Sequence, residues 1–384
     1  MALKNNTWKL NQWYDQNVAG NVEYIGPRLL YTTGYNDSGE LGQNIPGGSS
    51  RSSPVQLAGT NWKLVDSDLR ADGYIGAIKT DGTLWAWGRN ENGELGLNDR
   101  TYQSSPTQIP GTTWSVVTTV GRQSGMVATK TDGTLWGWGK NVRGELGLNN
   151  QAAYSSPTQI GSDTTWPTEE FKLDGTEYTV MAIKTNGELW CWGYNENRGQ
   201  LGQNNVIDRS SPVQVGSDTT WKYVAQGREH TVATKTDGTL WTWGNNGTGQ
   251  CGLNDAVLRS SPTQIPGTTW DYVSGSYGGL ATKTDGTLWV WGLNTDGRLG
   301  LNNQTTYSSP IQIPGTTWKG PTRTGVKQAF CPKSDGTMWG WGQNEYGELG
   351  LNNRNEYSSP VQIPGGYVSA MTGTTGVTAF IKVQ

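Results

Sequence analysis

The chain is built from a repeated unit of about fifty residues, and this repetition limits its fold more than any other feature. The string Lys-Thr-Asp-Gly-Thr-Leu-Trp-x-Trp-Gly, unchanged or slightly altered, occurs six times, with its first tryptophan at position 85, 136, 190, 241, 289 or 339. A turn of the type Asn-x-x-Gly-Glu-Leu-Gly and the string Ser-Ser-Pro-x-Gln keep the same spacing, and the latter occurs seven times. A degenerate copy, Leu30–Gly34, precedes the other six. Seven copies therefore cover nearly the whole chain, which is typical of a repeat architecture.

Each copy has the pattern of β-strands. Asp-Gly between extended residues is typical of a two-residue hairpin turn, so the segments on either side are predicted to pair as antiparallel strands. In the Leu-Trp-x-Trp strand the side chains alternate between two faces, and both faces are apolar. Such a strand must be covered on both sides, as in a blade packed between two other blades. No segment has the 3.6-residue apolar period of a helix, so we expect an all-β chain.

The two ends of the chain predict a closed ring. Thr378–Lys382 matches the strand that precedes an Asp-Gly turn, but neither the turn nor the Leu-Trp strand follows it. Leu29–Thr33 supplies the missing strand without a preceding hairpin. The two half-units complete one blade when they pair, and closure removes the exposed sheet edges that an open array would leave. We therefore predict a seven-bladed β-propeller over residues 25–384, closed by pairing of the N- and C-terminal strands, with residues 1–24 as a separate arm.

Composition and charge exclude several classes of function. The net charge is −3, with 29 basic and 32 acidic residues and no run of lysines or arginines, so nucleic-acid binding is not expected. No apolar stretch is long enough to span a membrane, and the first residues lack the apolar core of a signal peptide. The three cysteines are widely scattered, which fits neither a disulfide framework nor a zinc site. We predict no metal, no cofactor and folding in a reducing cytoplasm.

One segment carries a family resemblance. From Gly227 to Gln250 the chain contains Gly-x-x-His-Thr, then Asp-Gly, Trp-Gly-x-Asn and Gly-Gln. This pattern resembles the repeat of the regulator-of-chromosome-condensation family, and the resemblance spans residues ~25 to 384. It implies a seven-bladed propeller with four-stranded blades. Members of that family serve as exchange factors for the small GTPase Ran, as inhibitors of β-lactamase or as binding scaffolds, so the resemblance implies no single function. The recurring histidine of the family remains only at His230, and no basic tail is present.

Three sets of residues could be taken for chemical sites, and each has a structural interpretation. The residue after the glycine of the Asn-x-x-Gly turn is Glu40, Glu94, Glu145, Gln200, Gln250, Arg298 or Glu348. A metal ring would need oxygen ligands throughout, and arginine inverts the charge, so we expect exposed turn residues. His230 is the only histidine, and the family resemblance implies that it forms hydrogen bonds within its blade rather than acting in catalysis. Cys191 and Cys251 replace apolar or small residues of other copies and should lie, like Cys331, in the core.

The stretch between the Thr-Thr-Trp block and the hairpin lysine varies between copies. It measures 17 residues from Trp62 to Lys79, 18 in the third copy and 13 in the fifth. Variable loops on a rigid scaffold are a common way to build a binding surface. We predict that these loops lie on one face of the disc and carry its specificity. The candidate binding residues are Arg70, Arg122, Glu169, Glu170, Arg228, His230, Tyr277 and Arg323.

These observations predict a non-enzymatic interaction or structural propeller without catalytic residues. Residues 4–16 are similar to the start of repeat proteins encoded by tailed phages, particularly phages of cyanobacteria. That resemblance implies an accessory protein on the head or tail of a phage virion, assembled in the host cytoplasm. Its partners would be other virion proteins and a host surface glycan or protein. Trp8, Trp13 and Tyr14 would then anchor the arm, unless the arm is a strap across the propeller. The alternatives are a protein-binding regulator of the exchange-factor or enzyme-inhibitor kind and, less favoured, a lyase or hydrolase that uses the variable loops.

Overall fold

The secondary structure consists of β-strands. The computed structural model describes residues 26–384 except 46, 68–72, 121–124, 177, 321–324, 326 and 373–375. Within these residues there is no helix, in agreement with the all-β prediction. The predicted arm, with Trp8, Trp13 and Tyr14, lies outside the described residues.

The strands are short and alternate with turns. In chain order they are β1 (Arg28–Gly34), β2 (Arg51–Gln56), β3 (Trp62–Ser67), β4 (Tyr74–Lys79), β5 (Leu84–Gly88), β6 (Gln103–Ile109), β7 (Trp114–Val120), β8 (Gly125–Lys130), β9 (Leu135–Gly139), β10 (Tyr154–Gln159), β11 (Leu173–Thr176), β12 (Thr179–Ile183), β13 (Leu189–Gly193), β14 (Arg209–Gln214), β15 (Trp221–Gln226), β16 (His230–Lys235), β17 (Leu240–Gly244), β18 (Arg259–Ile265), β19 (Trp270–Gly275), β20 (Gly278–Lys283), β21 (Leu288–Gly292), β22 (Tyr307–Ile313), β23 (Gln328–Pro332), β24 (Met338–Gly342), β25 (Tyr357–Ile363), β26 (Tyr367–Thr372) and β27 (Val377–Val383).

These strands form seven antiparallel sheets, which are the blades of the predicted propeller. Blades 1 to 5 contain β3–β6, β7–β10, β11–β14, β15–β18 and β19–β22, each in chain order. Blade 6 contains β23–β25, and an isolated bridge between Trp318 and Lys333 stands where the inner strand of other blades begins. Blade 7 has the order β26-β27-β1-β2. The first strand of each four-stranded blade faces the axis, because the first strands of neighbouring blades contact one another.

The ring closes in blade 7. Strands β1 and β27 pair over seven residues, from Arg28 opposite Val383 to Gly34 opposite Val377. Strand β27 also pairs with β26, and β1 with β2, so the two ends of the propeller form the middle of one blade. The closure predicted from the two half-units is confirmed.

Blades 1 to 6 each contain a cluster of three tryptophans. The ring of the Thr-Thr-Trp block packs edge-on against both rings of the Trp-x-Trp strand, and Trp62 lies 6.3 Å from Trp85 and 6.2 Å from Trp87. Lys79 Nζ then lies 4.7 Å from the ring centroid of Trp62 and 4.3 Å from that of Trp85. Such cation–π contacts are each worth about 0.5–2 kcal/mol. The equivalent lysines are Lys130, Lys184, Lys235, Lys283 and Lys333.

The Asn-x-x-Gly-Glu-Leu-Gly turn joins each blade to the next. The Asn98 N–H donates to Ser155 O of blade 2 at 2.7 Å, and Trp138 Nε1 of blade 2 donates to Glu94 O at 3.0 Å. A Cβ on Gly96 would lie 2.7 Å from Trp138 Nε1, and its φ is +69°, so both the close approach and the conformation require glycine. Main-chain bonds equivalent to that of Asn98 recur in the other six blades.

The glutamates of these turns are buried, which corrects the expectation that they are exposed. Glu94 is 0% exposed, and its Oε2 accepts the N–H of Asn92 at 2.7 Å. The turn looks solvent-exposed when read alone, but the neighbouring blade covers it. The other residues at this position, also buried, are Glu40, Glu145, Gln200, Gln250, Arg298 and Glu348. These side chains therefore hold the turn that connects two blades.

Candidate functional site

The propeller has two faces that differ in their connections. Because strands alternate in direction within a blade, the connections after the first and third strands lie on one face, and those after the second and fourth lie on the other. The first face carries the connections between the inner and second strands and the Asn-x-x-Gly turns, and we call it the loop face. The second carries the Asp-Gly turns, and we call it the hairpin face. The variable connections that the structure describes lie on the loop face, except for the insertion in blade 3.

The insertion in blade 3 closes the channel along the propeller axis. The inner strand of blade 4 begins at the tryptophan of the Thr-Thr-Trp block, whereas that of blade 3 begins at Leu173, seven residues after the equivalent tryptophan. The inserted residues place the ring of Phe171 at 6.2 Å from that of Tyr223 and 5.7 Å from that of Tyr272. Phe171 lines one cavity towards the loop face and two towards the hairpin face, so it separates them. Its φ of +64° is rare for a bulky residue.

The mouth of the channel on the loop face is small and polar. A cavity of about 40 Å³ is lined there by the ends of the inner strands, including Asp66, Asp174 and Gln226. Asp66 Oδ2 accepts the Thr119 N–H of blade 2 at 3.0 Å, and Asp174 Oδ2 accepts the Gln226 N–H of blade 4 at 2.6 Å. Both carboxylates bind the main chain of the next blade, so they stabilise the ring.

Two arginines contact one tyrosine on the loop face. Arg228 Nη1 donates to Tyr277 Oη, and its guanidinium carbon lies 5.1 Å from the ring centroid of Tyr277. Arg298 approaches the same ring to 4.9 Å and forms an ion pair with Asp296. The contact joins blades 4 and 5. It combines positive charge with an aromatic ring, and arginine and tyrosine are enriched in protein–protein interfaces.

His230 and the cysteines are buried. Burial lowers the pKa of His230 to about 4. The ring forms a hydrogen bond with the backbone of Gly278 in blade 5, so the bond joins two blades instead of lying within blade 4 as expected. Burial raises the pKa of Cys191 to about 12 and that of Cys251 to about 11. Buried thiols of this kind are poor nucleophiles. The three cysteines occupy the core, as predicted.

The described part of the chain offers no cluster of three or more histidine, cysteine or carboxylate side chains that could hold a metal ion. Among the same residues there is no helix long and apolar enough to cross a membrane.

An apolar patch lies on the outer rim of the loop face in blades 2 to 4. We call it the rim patch, and its members, 39–59% exposed, are Val142, Val206, Ile207, Val257 and Leu258. The Asn204 N–H donates to Ser260 O at 2.7 Å, which holds the loop of blade 3 against the strand that follows Leu258 in blade 4. Arg143, next to Val142, lies 3.9 Å from Asp208, next to Ile207. The loops that carry these apolar side chains are therefore in contact with one another from blade 2 to blade 4.

Comparison with known families decides the classification. The model of the RCC1-like domain matches residues 29–380. The chain belongs to the RCC1-like family. Among curated relatives, this RCC1-like chain is 28% identical to the ultraviolet-B receptor UVR8 of Arabidopsis thaliana over 220 residues, which are 56% of this chain and 49% of UVR8. It is 36% identical to human protein RCC2 over 167 residues, which are 43% of this chain and 30% of RCC2. The chain thus spans about half, or less, of the length of these relatives.

Solved structures support the same RCC1-like fold. Human WBSCR16 superposes with a TM-score of 0.81 at 18% identity, covering 93% of this chain and 99% of that chain. Prp20p from Saccharomyces cerevisiae, characterised for its binding to Gsp1p and histones, superposes with a TM-score of 0.80 at 18% identity, covering 94% and 92%. At this level of identity the likeness shows the fold alone.

In this RCC1-like propeller the predicted binding residues are distributed over two faces. Arg228, Tyr277 and the buried His230 belong to the loop side of blades 4 and 5. Glu170 lines cavities on the hairpin side, and Glu169 precedes it, so these two residues do not share a face with the others. The reason is that the insertion of blade 3 precedes the inner strand instead of following it. Arg70, Arg122 and Arg323 lie outside the described residues.

Sequence reasoning missed three features of the site. The rim patch could have been found by comparing the loops that precede the Ser-Ser-Pro strands. Arg298 was visible as the basic residue among acidic and amide equivalents, but its contact with Tyr277 was not. Phe171 lies in the longest variable stretch, and nothing in the sequence indicates that its ring enters the channel.

Proposed function

We propose that this RCC1-like propeller is a non-enzymatic scaffold that binds a protein partner through the rim patch of its loop face. The observation that carries the proposal is the exposure of large apolar side chains at the equivalent positions 207 and 257, which are polar or small in the other loops of this kind. Ile207 is 57% exposed and Val257 is 59% exposed. Contiguous exposed apolar surface on a folded protein commonly marks a site of protein–protein interaction.

In blades 1 to 6 the loop between the third and fourth strands contains the same main-chain turn, whatever side chain it carries. The fold therefore does not require these apolar side chains. The Ile207 N–H donates to Asn205 Oδ1 at 3.0 Å, and the Val257 N–H donates to Asp255 Oδ1 at 2.9 Å. The equivalent N–H of Thr305 also donates at 2.9 Å. At this position the remaining loops have Thr101, Ala152 and Asn355. A polar or small residue is therefore sufficient for the turn.

Charged residues surround the rim patch. Arg143 lies 3.7 Å from Glu196, and Arg259 pairs with Asp255 at 2.6 Å. An apolar centre with a polar, charged rim is the usual composition of a protein interface. Arg228, nearer the axis on the same face, belongs to a residue type that often contributes most of the binding energy.

The state of the titratable side chains supports a non-enzymatic role. His230 is buried with a low pKa, and the carboxylates of Asp66 and Asp174 accept main-chain hydrogen bonds. One relative, human HERC3, is a probable E3 ubiquitin-protein ligase that is 32% identical over 165 residues. The matched region is 15% of HERC3, so its activity is not carried over to this chain.

Charge introduced into the rim patch tests the proposal. The double variant Ile207→Asp and Val257→Asp should reduce recovery of the partner at least tenfold, because burial of each carboxylate costs more than the lost apolar contact. The measurement is quantitative mass spectrometry of proteins retained by the full chain. Thr305→Asp places the same charge on the same turn in blade 5 and should retain the partner. Equal recovery by the double variant and the unmodified chain would contradict the proposal.

We also propose a phage virion as the setting, with capsid or tail proteins as partners and assembly in the host cytoplasm. This proposal is supported by the similarity of residues 4–16 to the start of phage repeat proteins. A host surface protein or glycan is then the partner of the loop face. Mass spectrometry of purified particles tests the setting, and absence of the protein from them would overturn it. A soluble one-to-one complex with a single host protein would instead favour a regulator.

A further inference from the structure

The hairpin face has a depression at its centre. Two cavities of about 260 and 290 Å³ lie there side by side. Both are lined by Glu170 and Phe171 from the insertion of blade 3 and by Val368 and Ser369 from β26, so these residues form a divider between the two cavities. We call the two cavities and their divider the axial depression. It lies on the opposite side of Phe171 from the loop face.

The axial depression exists because blade 3 breaks the repeat. In the other four-stranded blades the inner strand starts at or directly after the Thr-Thr-Trp block, and its first residues follow the channel wall. In blade 3 the strand starts later, and the residues before Leu173 cross the channel instead. The Val224 N–H donates to Phe171 O at 3.1 Å, which fixes this crossing to blade 4. The floor of the depression is therefore held in place before any ligand binds.

The walls of the axial depression combine apolar and polar side chains, and each cavity has an apolar side. Leu64, Val65, Met371 and Ile381 line the cavity on the side of blade 1. Tyr272, Tyr367 and Pro332 line the other cavity, and the exposed Val368, at 50%, stands between them. Each cavity is large enough for one bulky apolar or aromatic side chain.

The charge of the axial depression is positive. The described residues that line it include four cationic side chains and one carboxylate. The cations are Arg28, Lys63, Lys319 and Lys333, and the carboxylate is Glu170. Two other carboxylates of this face are neutralised by ion pairs, since Glu169 lies 3.0 Å from Lys172 and Asp271 lies 2.6 Å from Lys222. A concave site with excess positive charge attracts an anionic ligand.

We propose that the axial depression binds an acidic peptide segment of a partner protein, with two bulky apolar side chains entering its two cavities. Carboxylates of the segment would lie near Lys63 and Lys319. A peptide fits better than a glycan, because sugar hydroxyls need many amide and carboxylate partners. Among the described lining residues there is no asparagine, glutamine or aspartate.

A random heptapeptide library tests this proposal. The library is panned on the immobilised full chain and counter-selected on the double variant Lys63→Glu and Lys319→Glu. We expect enrichment of sequences that combine aspartate or glutamate with bulky apolar residues. Fluorescence anisotropy of the enriched, fluorescein-labelled peptides should show at least tenfold weaker binding to the double variant. Glu170→Gln should tighten binding severalfold, because it removes the negative charge from the site, and a gain of affinity cannot arise from misfolding.

The matched control is the double variant Arg100→Glu and Arg354→Glu, which makes the same change of charge at exposed positions of the loop face. It should bind the peptides like the unmodified chain, and so should the rim-patch variant Ile207→Asp with Val257→Asp. Failure to enrich any peptide, enrichment of peptides without acidic residues, or equal binding to the Lys63/Lys319 variant would overturn the proposal. Tighter, lysine-dependent binding of a fluorescein-labelled heparin octasaccharide than of the peptides would assign the site to a glycan and would also overturn it.

Discussion

Replacement of Phe380 by alanine should open the ring at its closing blade. Phe380 is fully buried in the C-terminal strand β27. Its ring stacks on Tyr367 of the same blade, with centroids 4.6 Å apart, and packs edge-on against Phe330 of blade 6 at 5.4 Å. The side chain therefore connects the strand that closes blade 7 to both the inner strand of that blade and the neighbouring blade.

The size of the effect follows from burial. A fully buried phenylalanine replaced by alanine costs about 3–5 kcal/mol, which includes the cavity left behind. Unfolding entropy of roughly 2.1 cal/mol/K per residue, over the residues 26–384, gives about 0.75 kcal/mol/K. Phe380→Ala should therefore lower Tm by about 5 °C in differential scanning calorimetry if the propeller unfolds as one unit.

The control is Leu258→Ala, which removes a side chain of similar size that is 39% exposed on the rim. It should change Tm by less than about 1 °C, since exposed substitutions seldom exceed 0.5 kcal/mol. Limited proteolysis of Phe380→Ala should cut first within β1 or β27, because opening begins where the two ends pair. A Tm shift no larger than that of Leu258→Ala, or first cuts in blades 2 to 5, would refute the closure argument.

Two further predictions concern ionisable side chains, namely Lys130, which lies between two tryptophan rings, and the buried His230. Lys130→Met keeps the aliphatic stem but removes the ammonium that lies 4.8 Å from the ring centroid of Trp114 and 3.8 Å from that of Trp136. It should lower the free energy of unfolding by about 1 kcal/mol in urea titrations, and an unchanged midpoint would count against the cation–π contribution. The pKa of His230 falls to about 4 in the folded chain, so the unfolded chain binds the extra proton and stability decreases as pH falls from about 6.5 to about 4. His230→Gln should remove on the order of 3 kcal/mol of this pH dependence. Burial raises the pKa of Glu348, so this carboxyl makes stability increase as pH falls, but it is present in both proteins and its effect cancels in the comparison. If the dependence of stability on pH is the same with and without His230→Gln, His230 is not buried in its neutral form.

The ring could be predicted from the sequence because its evidence is local and repeated. The Asp-Gly turns indicate hairpins, and the incomplete copies at Leu29–Thr33 and Thr378–Lys382 indicate which two strands must pair. Both inferences need only the residues of one unit. The observed register, with Leu30 opposite Ile381, agrees with them.

The environment of the turn glutamates could not be predicted in this way. The turn around Glu94 has a polar sequence with two glycines, which is typical of exposed loops. Its burial comes from Ser155 and Trp138, which lie in the next blade, about fifty residues away. A contact that is made between units leaves no signal within the unit, except that Gly96 must be glycine.

The site was predictable in position along the chain but not in space. The long stretch of blade 3 was visible as a length difference, and Glu169 and Glu170 were selected from it. From Trp166 to Lys184 the stretch is 18 residues, four more than the 14 from Trp221 to Lys235 in blade 4. Whether these four residues lengthen a loop or delay the start of the inner strand depends on which residues pair with Met181 and Ala182. In the structure Asp174 and Leu173 take those places, so the addition precedes the strand. The added residues therefore enter the axis from the hairpin side.

A repeat protein allows structural and functional requirements to be separated within one molecule. Where all copies share a backbone turn but differ in side chain, as at Ile207, Val257 and Thr305, the fold cannot account for the difference. Where one copy differs in backbone, as before Leu173, the change is local, since the strands of blade 3 from Leu173 onwards still pair as a four-stranded sheet. Both kinds of departure have a cost to the free protein. Exposed apolar side chains favour aggregation, and the positive φ of Phe171 strains the main chain. Within the part of the chain that the structure describes, the rim patch and the axial depression are two places where closure of the ring does not account for the residues present, and for this reason we propose both as binding sites.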